Sequence, residues 1–279
     1  MMLSIVIPCQ EDEALLFPTL KSIFKNNFNL RCFEVILICN KEVHVPEKLE
    51  KFSIKIHKGG FKGQAQALNY GLTVAHGEIF CTTKPGCIVA SNWLSKIVDF
   101  FQRNPDIAGV GGPVFPCLEY GTRIQKIASQ IFYEEQEFPS KVIFLKPGSY
   151  KGLLHATNSA FQKEIIASMG FDESFKYDYD FDICWRMTRK GYRLAYNPEM
   201  RVRYIFPFRM WNLLRRYYHW GKESIILRRK HSYEKGIKDY LYIPYGTIRS
   251  FFQPSPFISR KKLLRLIQHV AFDMGCFRA

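Results

Sequence analysis

The stretch Gly77 to Leu94, GEIFCTTKPGCIVASNWL, decides the fold of this 279-residue chain. Its first apolar run, Ile79 to Thr83, predicts a short buried strand, and Cys87 to Val89 predicts a second one. Lys84-Pro85-Gly86 between them predicts a tight turn, because proline fixes φ and glycine frees it. Ligands of open α/β sheets bind at the carboxyl ends of strands. Lys84 is therefore a candidate site residue.

Apolar runs of strand length recur along the rest of the chain. They cover Leu3 to Pro8, Phe33 to Ile38, Ser53 to His57 and Val110 to Val114. Helical or polar segments separate them, which is typical of βαβ units with a mainly parallel sheet. Tyr120 to Phe138 predicts a helix, and Phe138 to Lys151, with two prolines and one glycine, predicts a loop. The chain is thus expected to adopt an α/β fold.

Charge divides the chain into two parts. The formal net charge is +15, and residues 201–279 hold 17 Lys+Arg against 4 Asp+Glu, or +13 of that total. With 47% hydrophobic residues over its full length, the chain can bury a full core. We therefore predict a globular domain over residues 1–205 and a basic helical extension over residues 206–279.

The basic extension predicts contact with an anionic membrane surface. Two segments, beginning near Trp211 and Leu263, combine an apolar helical face with surrounding Lys and Arg. The apolar residues are Trp211, Leu214, Tyr218, Gly221 and Ile225 in the first segment, and Leu263, Leu264, Ile267, Val270, Ala271 and Met274 in the second.

No apolar run reaches the roughly 18 residues of a spanning helix, and no nucleic-acid motif is present. The start, MMLSIVIPC, lacks a signal-peptide pattern, and the eight cysteines form no CxxC pair. We expect a cytoplasmic protein, peripheral at the inner face of the membrane.

The stretch around Lys84, together with GQAQALNYGLTVAHGE before it, resembles the centre of the family 2 glycosyltransferases. The resemblance implies a GT-A fold, a Rossmann-like mixed and mainly parallel sheet flanked by helices. Family members carry Asp-any-Asp where this chain has Lys84-Pro85-Gly86, and those carboxylates hold a divalent metal. Neither Lys nor Gly can bind Mg²⁺ as a carboxylate does. No divalent metal or other cofactor is therefore expected.

The resemblance also implies a donor side that binds a nucleotide sugar. Family members have an Asp pair at the positions of Cys39 and Asn40, and a basic residue near the phosphates at Lys62. The implied donor-binding residues are Pro8, Gln10, Asn40, Lys62 and Asn69. For Asn69 a role in helix packing is an equal alternative, and Lys62 is one of several lysines that solvent could surround.

On the acceptor side, Tyr179-Asp180-Phe181-Asp182 resembles the family's Glu-Asp-any-Asp motif, with Arg186 at the arginine that follows it. The resemblance places Asp180 at the catalytic base, and a base beside the acceptor hydroxyl is what an inverting transfer needs. A cap for the helix that follows is the alternative role. RYYHW, ending at Trp220, weakly resembles the family's Gln-any-any-Arg-Trp. The implied acceptor-side residues are Asn158, Asp182 and Trp220.

Two functions remain open at this point. The first is the transfer of a sugar from a nucleotide sugar to a lipid-linked or glycan acceptor, in an inverting and metal-independent reaction, with Lys84 neutralising the leaving diphosphate. The second is a catalytically silent GT-A domain that serves as a scaffold for an active partner glycosyltransferase. In that case Lys84 is an ordinary solvated turn lysine and Asp180 a helix cap.

Overall fold

A computed structural model describes residues 1–9, 13–45, 47–50, 52–119, 122–136, 138–146, 154–205, 210–231 and 260–278. Gln10, predicted to bind the donor, lies outside these residues. The strands are β1 (Leu3–Cys9), β2 (Phe33–Cys39), β3 (Ile54–Lys58), β4 (Ile79–Thr82), β5 (Cys87–Val89), β6 (Ile107–Gly111), β7 (Val114–Pro116), β8 (Ile143–Leu145), β9 (Ser159–Gln162), β10 (Arg193–Tyr196) and β11 (Val202–Tyr204).

The strands form a large sheet and a small one. The large sheet has the order β3-β2-β1-β4-β9-β6-β10-β8, and the small sheet has the order β5-β11-β7. In the large sheet β1 pairs in parallel with β2 and β4, β2 with β3, and β6 with β10. β9 runs antiparallel between β4 and β6, and β8 is an antiparallel edge strand. The predicted mixed, mainly parallel α/β sheet is confirmed.

The helices are α1 (Glu13–Phe24), α2 (Glu47–Glu50), α3 (Gln64–Val74), α4 (Trp93–Arg103), α5 (Arg123–Gln136), α6 (Lys163–Ala167), α7 (Tyr179–Arg189), α8 (Met210–Lys230) and α9 (Arg260–Phe277). They cover the large sheet on both faces, so β1 and β2 are buried along their whole length. Fully buried parallel strands read as unbroken apolar runs. Leu3, Ile5 and Ile7 enter one core cluster, whereas Val6 enters the other.

Two local predictions were wrong. The run Val110 to Val114 is broken at Gly112-Pro113, so that β6 joins the large sheet and β7 joins the small one. The predicted loop from Phe138 to Lys151 contains β8, which pairs with β10. Three residues between loop residues give too short a pattern for a strand to be recognised.

The two described helices of the basic extension, α8 and α9, pack tightly against each other. A Cβ added to Gly221 of α8 would collide with the Phe272 carbonyl of α9, and one added to Gly275 would collide with the Tyr218 carbonyl. Glycine is thus required where the two backbones approach. The predicted apolar face of α8 is partly wrong, because Trp211 is 78% exposed while Leu213 and Tyr217 are buried. None of the described helices has both the length and the apolar content that a bilayer crossing needs.

Candidate active site

The Lys84 turn joins the end of β4 to β5 and is held from three sides. The Gly86 N–H donates to the Leu15 carbonyl at 3.0 Å and to Thr19 Oγ1 at 2.9 Å. The Gly86 carbonyl accepts from the Ile205 N–H at 2.9 Å. Gly86 has φ of 91°, a conformation that favours glycine. The predicted turn is confirmed, and its fixed backbone presents a partly buried Lys84 side chain.

Asp180 lies in the first turn of α7 and is 7% exposed. Its Oδ2 accepts from the Ala156 N–H at 2.9 Å, and its Oδ1 accepts from the Phe181 N–H at 3.0 Å. Free N–H groups at a helix N-terminus stabilise a negative charge. The Asp180 carboxylate is therefore held in one orientation by the backbone on both of its oxygens.

Helix α8 closes the site and braces the segment before α7. Glu223 accepts from the backbone N–H groups of Lys176, Tyr177 and Asp178, at 3.1, 2.7 and 3.1 Å. Trp220 Nε1 donates to Asp178 Oδ1 at 2.6 Å. These bonds tie α8 to the domain that bears Asp180. The predicted boundary at residues 205 and 206 stays a prediction, but it separates α8 from a site that α8 helps to build.

One pocket brings the two predicted catalytic residues together. Lys84 and Asp180 both line it, and so does Trp220 from α8. The other lining residues are Val114, His155, Thr157, Tyr177, Phe181, Tyr204, Arg216 and Tyr217. The pocket thus combines two basic side chains, Lys84 and Arg216, with one carboxylate and a wall of aromatic rings.

Burial sets the electrostatics of the Lys84 side. It lowers the pKa of Lys84 to about 8, with Asp180 opposing and Arg216 adding to the shift. Lys84 Nζ lies 5.6 Å from the centroid of the Tyr179 ring, and Arg216 stacks over Tyr177 at 5.5 Å. Burial also lowers the pKa of His155, although Asp180 partly offsets this. The imidazole is therefore expected to be neutral at pH 7.

Asp178 is a buried carboxyl group close to the pocket. It is 1% exposed, its Oδ1 accepts from Trp220, and its Oδ2 has no hydrogen-bond partner among the described residues. Burial, together with the charges of Asp180 and Glu223, raises its pKa well above the ordinary range. A protonated Asp178 avoids the cost of a buried unpaired charge.

The four predicted donor-side residues that the structure describes do not line this pocket. Asn40 exchanges two hydrogen bonds with the Phe61 backbone, at 2.8 and 2.9 Å. Asn69 bonds both backbone groups of Phe171, at 2.7 and 2.9 Å. Lys62 is exposed, and Pro8 is buried within β1. Each asparagine holds a loop in place, and donor contact by these four residues stays a prediction.

Two of the predicted acceptor-side residues are fully buried. Asn158 accepts from Trp93 Nε1 at 2.8 Å and donates to the carbonyls of Pro113 and Met200, at 3.0 and 2.6 Å. The Asp182 carboxylate forms hydrogen bonds with Arg186, Lys230 and His231, at 2.6, 2.7 and 2.9 Å. These contacts account for both side chains as structural, and contact with an acceptor stays a prediction for them. Trp220 alone of the three lines the pocket.

The turn at Lys84 does not fit a divalent metal. Its side chains offer an ammonium, a proline ring and a hydrogen where the family motif offers carboxylates. Within the described part of the chain, no cluster of three His, Cys, Asp or Glu residues could hold a metal ion. Hard cations need oxygen ligands. We therefore derive no step of the chemistry through a metal.

His155 and the aromatic residues of the wall other than Trp220 were not predicted as site residues. His155 immediately precedes Ala156, whose N–H binds Asp180, and its ring contacts the Phe181 ring edge-on at 5.4 Å. The available signal was its place beside the Ala-Thr-Asn segment. Arg216 was noted as the first residue of the RYYHW stretch but was not among the predicted site residues, because helical spacing does not show which element a basic residue will face.

The chain belongs to a family described as "Glycosyltransferase like family 2", whose model matches residues 2–222. A dolichyl N-acetyl-alpha-D-glucosaminyl phosphate 3-beta-D-2,3-diacetamido-2,3-dideoxy-beta-D-glucuronosyltransferase of Methanococcus voltae is 23% identical over 214 residues. The alignment covers 71% of this chain and 65% of that protein, somewhat less than two thirds of its length. The family match extends past residue 205 and includes the part of α8 that lines the pocket.

Solved structures share the fold. The mannosyltransferase PcManGT of Pyrobaculum calidifontis, in complex with GDP-Man and Mn²⁺, has a TM-score of 0.62 at 15% identity, covering 96% of this chain and 86% of that one. TarS 1–349 of S. aureus, in complex with UDP-GlcNAc, has a TM-score of 0.58 at 13% identity, covering 100% and 92%. The predicted GT-A fold and family are thus confirmed.

Proposed function

We propose that the protein transfers a sugar from a nucleotide sugar to a lipid-linked or glycan acceptor, by an inverting reaction that needs no divalent metal. The observation that carries the proposal is the shared pocket of Asp180, Lys84 and Arg216. A carboxylate for the acceptor and cations for the donor are the two chemical needs of such a transfer. The lipid-linked acceptor is supported by the name of the Methanococcus voltae relative.

The pocket residues divide the reaction between them. Asp180 accepts the proton of the acceptor hydroxyl. At the same time the hydroxyl oxygen of the acceptor attacks the anomeric carbon of the donor sugar, from the face opposite the leaving group. The bond from that carbon to the phosphate oxygen breaks, and its electron pair leaves with the nucleoside diphosphate. Lys84 and Arg216 neutralise the charge that develops on this diphosphate. The aromatic wall, which includes Trp220, stacks against a sugar ring and excludes water.

Calorimetry with a panel of nucleotides and nucleotide sugars tests the proposal, followed by turnover with the donor that binds. We expect micromolar to millimolar binding of one nucleotide class, because such values are ordinary for substrates. The variants Lys84→Ala and Asp180→Asn separate neutralisation of the diphosphate from deprotonation of the acceptor. Binding of no nucleotide at all would contradict the enzymatic function.

The scaffold function stays a second candidate because the family carboxylates are replaced together, at Cys39, Asn40, Lys84 and Gly86. A GT-A domain without donor binding could still position an active partner glycosyltransferase. Co-purification of such a partner by a chain that binds no nucleotide would support this alternative. Either protein would work at an anionic membrane on its cytoplasmic side, to which the basic extension is complementary.

A further inference from the structure

Helix α9 carries an exposed apolar stripe on the side turned away from the domain. Leu263, Ile267, Val270 and Met274 are 48%, 37%, 39% and 52% exposed. Their spacings of four, three and four residues place them on one face of a helix. Large apolar side chains scattered singly on a surface need no explanation, but an aligned row of four does.

The opposite side of α9 packs against α8 and α5. Leu264 and Cys276 are buried, and Gly275 lies against the α8 backbone, where no larger residue fits. Arg265 forms an ion pair with Glu134 of α5 at 2.6 Å. These contacts fix the rotation of α9 about its axis. The outward direction of the stripe is therefore a consequence of packing and cannot be relieved by turning the helix.

Basic residues stand at both ends of the stripe. Arg260, Lys261 and Lys262 precede it and Arg278 follows it, and residues 260–278 hold five Lys+Arg against one Asp. The sequence positions on the stripe face are all apolar, since Leu266 and Ala271 fill the remaining places. An uncharged row flanked by cations complements an anionic lipid surface, in which apolar residues enter the acyl boundary and cations meet headgroups.

We propose that the Leu263-Ile267-Val270-Met274 face of α9 docks the protein on an anionic lipid membrane. The choice of partner rests on the proposed function, since a lipid-linked acceptor would be presented there. The docking helix also packs on α8, which supplies Arg216 and Trp220 to the pocket. The bilayer surface is thus coupled to the acceptor side through two helices in direct contact.

Flotation of the full chain with vesicles tests the docking face without a donor or an acceptor. The vesicles are phosphatidylcholine with or without about a third phosphatidylglycerol. Ile267→Glu/Val270→Glu should lower the partition coefficient to anionic vesicles at least about tenfold, since two half-buried aliphatic contacts are replaced by repelled charges. Ile56→Glu/Val142→Glu is the matched control, because these residues are 45% and 43% exposed outside α9, and it should float like the unsubstituted chain.

Unchanged flotation of Ile267→Glu/Val270→Glu would overturn the docking face, as would equal losses in the matched control. A second copy of the chain is the competing occupant of an apolar stripe. If the unsubstituted chain does not float but forms a dimer, and the double substitution dissociates that dimer, then the stripe mediates self-association and the membrane proposal is wrong. Thermal unfolding checks that both variants are folded. A chain that floats but transfers no sugar would refute the proposed function and leave the docking face standing.

Discussion

The Lys84 turn and the first turn of α7 border the same pocket, but the charged side chains that they carry differ in their hydrogen-bond partners. Asp180 has a backbone N–H on each oxygen, at 2.9 and 3.0 Å, so its charge is compensated before any ligand binds. Lys84 has lost water without gaining a paired carboxylate among the described residues, and its pKa falls to about 8. The difference indicates that one wall is organised for a neutral hydroxyl and the other for an anion.

The largest expected effect is the loss of the compensated carboxylate. Asp180→Asn keeps the shape of the side chain but only one of the two backbone contacts, because its amide nitrogen cannot accept an N–H. It also cannot accept the proton of the acceptor. We expect kcat to fall by about 10²- to 10⁴-fold, the usual contribution of a general base, with donor affinity unchanged. Turnover and calorimetry measure the two quantities. Asp99→Asn on α4 is the control, and a fully active Asp180→Asn would reduce Asp180 to a helix cap.

The next effect concerns the uncompensated cation. Lys84→Ala should lower turnover by roughly ten- to a thousandfold, taking the loss of one electrostatic contact as the guide. Lys84→Arg should recover part of the loss because the charge is kept. Lys25→Ala is the control at an exposed lysine outside the pocket. Full activity of Lys84→Ala would remove the cation from the mechanism.

The turn itself could be predicted from sequence because Pro85 and Gly86 constrain the backbone locally. The role of α8 could not be predicted in the same way. Spacing shows which of its residues share a face, but Arg216 and Trp220 reach the pocket only because Glu223 binds three N–H groups about 45 residues earlier in the chain. Such pairing depends on tertiary packing. The same limit explains Asn40 and Asn69, whose loop-holding contacts no motif indicates.

Donor binding should also depend on pH through Lys84. An anion binds the protonated lysine, so affinity should be constant below about pH 7 and fall as pH rises through the pKa of about 8. One unit above that pKa the loss approaches about tenfold if the neutral amine contributes nothing. Calorimetry at pH 7, 8 and 9 measures it. Lys84→Arg should abolish the decline over this range, and an equal decline in that variant would assign it to another group.

The smallest effect is on stability at Asp178, which accepts a hydrogen bond from the pocket residue Trp220. Its pKa is raised in the folded protein above the ordinary 3.8. Between those two values the unfolded chain has lost the proton that the folded chain keeps, so stability contributed by this residue falls as pH rises. Asp178→Asn resembles the protonated acid and can still accept from Trp220. Its melting temperature should exceed that of the unsubstituted chain at pH 7, and the gap should close towards pH 4.

Thermal unfolding between pH 4 and pH 7 measures this gap, with Asp178→Ala as the companion variant that loses the Trp220 contact. A gap that is constant with pH would show that Asp178 is ionised in the folded protein. A stabilised Asp178→Asn with normal donor affinity would separate the strain of this carboxyl from the chemistry of Asp180.

The most direct test of the account measures donor affinity by calorimetry in EDTA and again with Mn²⁺. Lys84 and Arg216 are proposed to bind the diphosphate, since the turn offers no carboxylate to a metal. The proposed mechanism predicts the same dissociation constant under both conditions for the unsubstituted chain, and weaker binding by Lys84→Ala under both. Binding that disappears in EDTA and returns with Mn²⁺ would contradict the account.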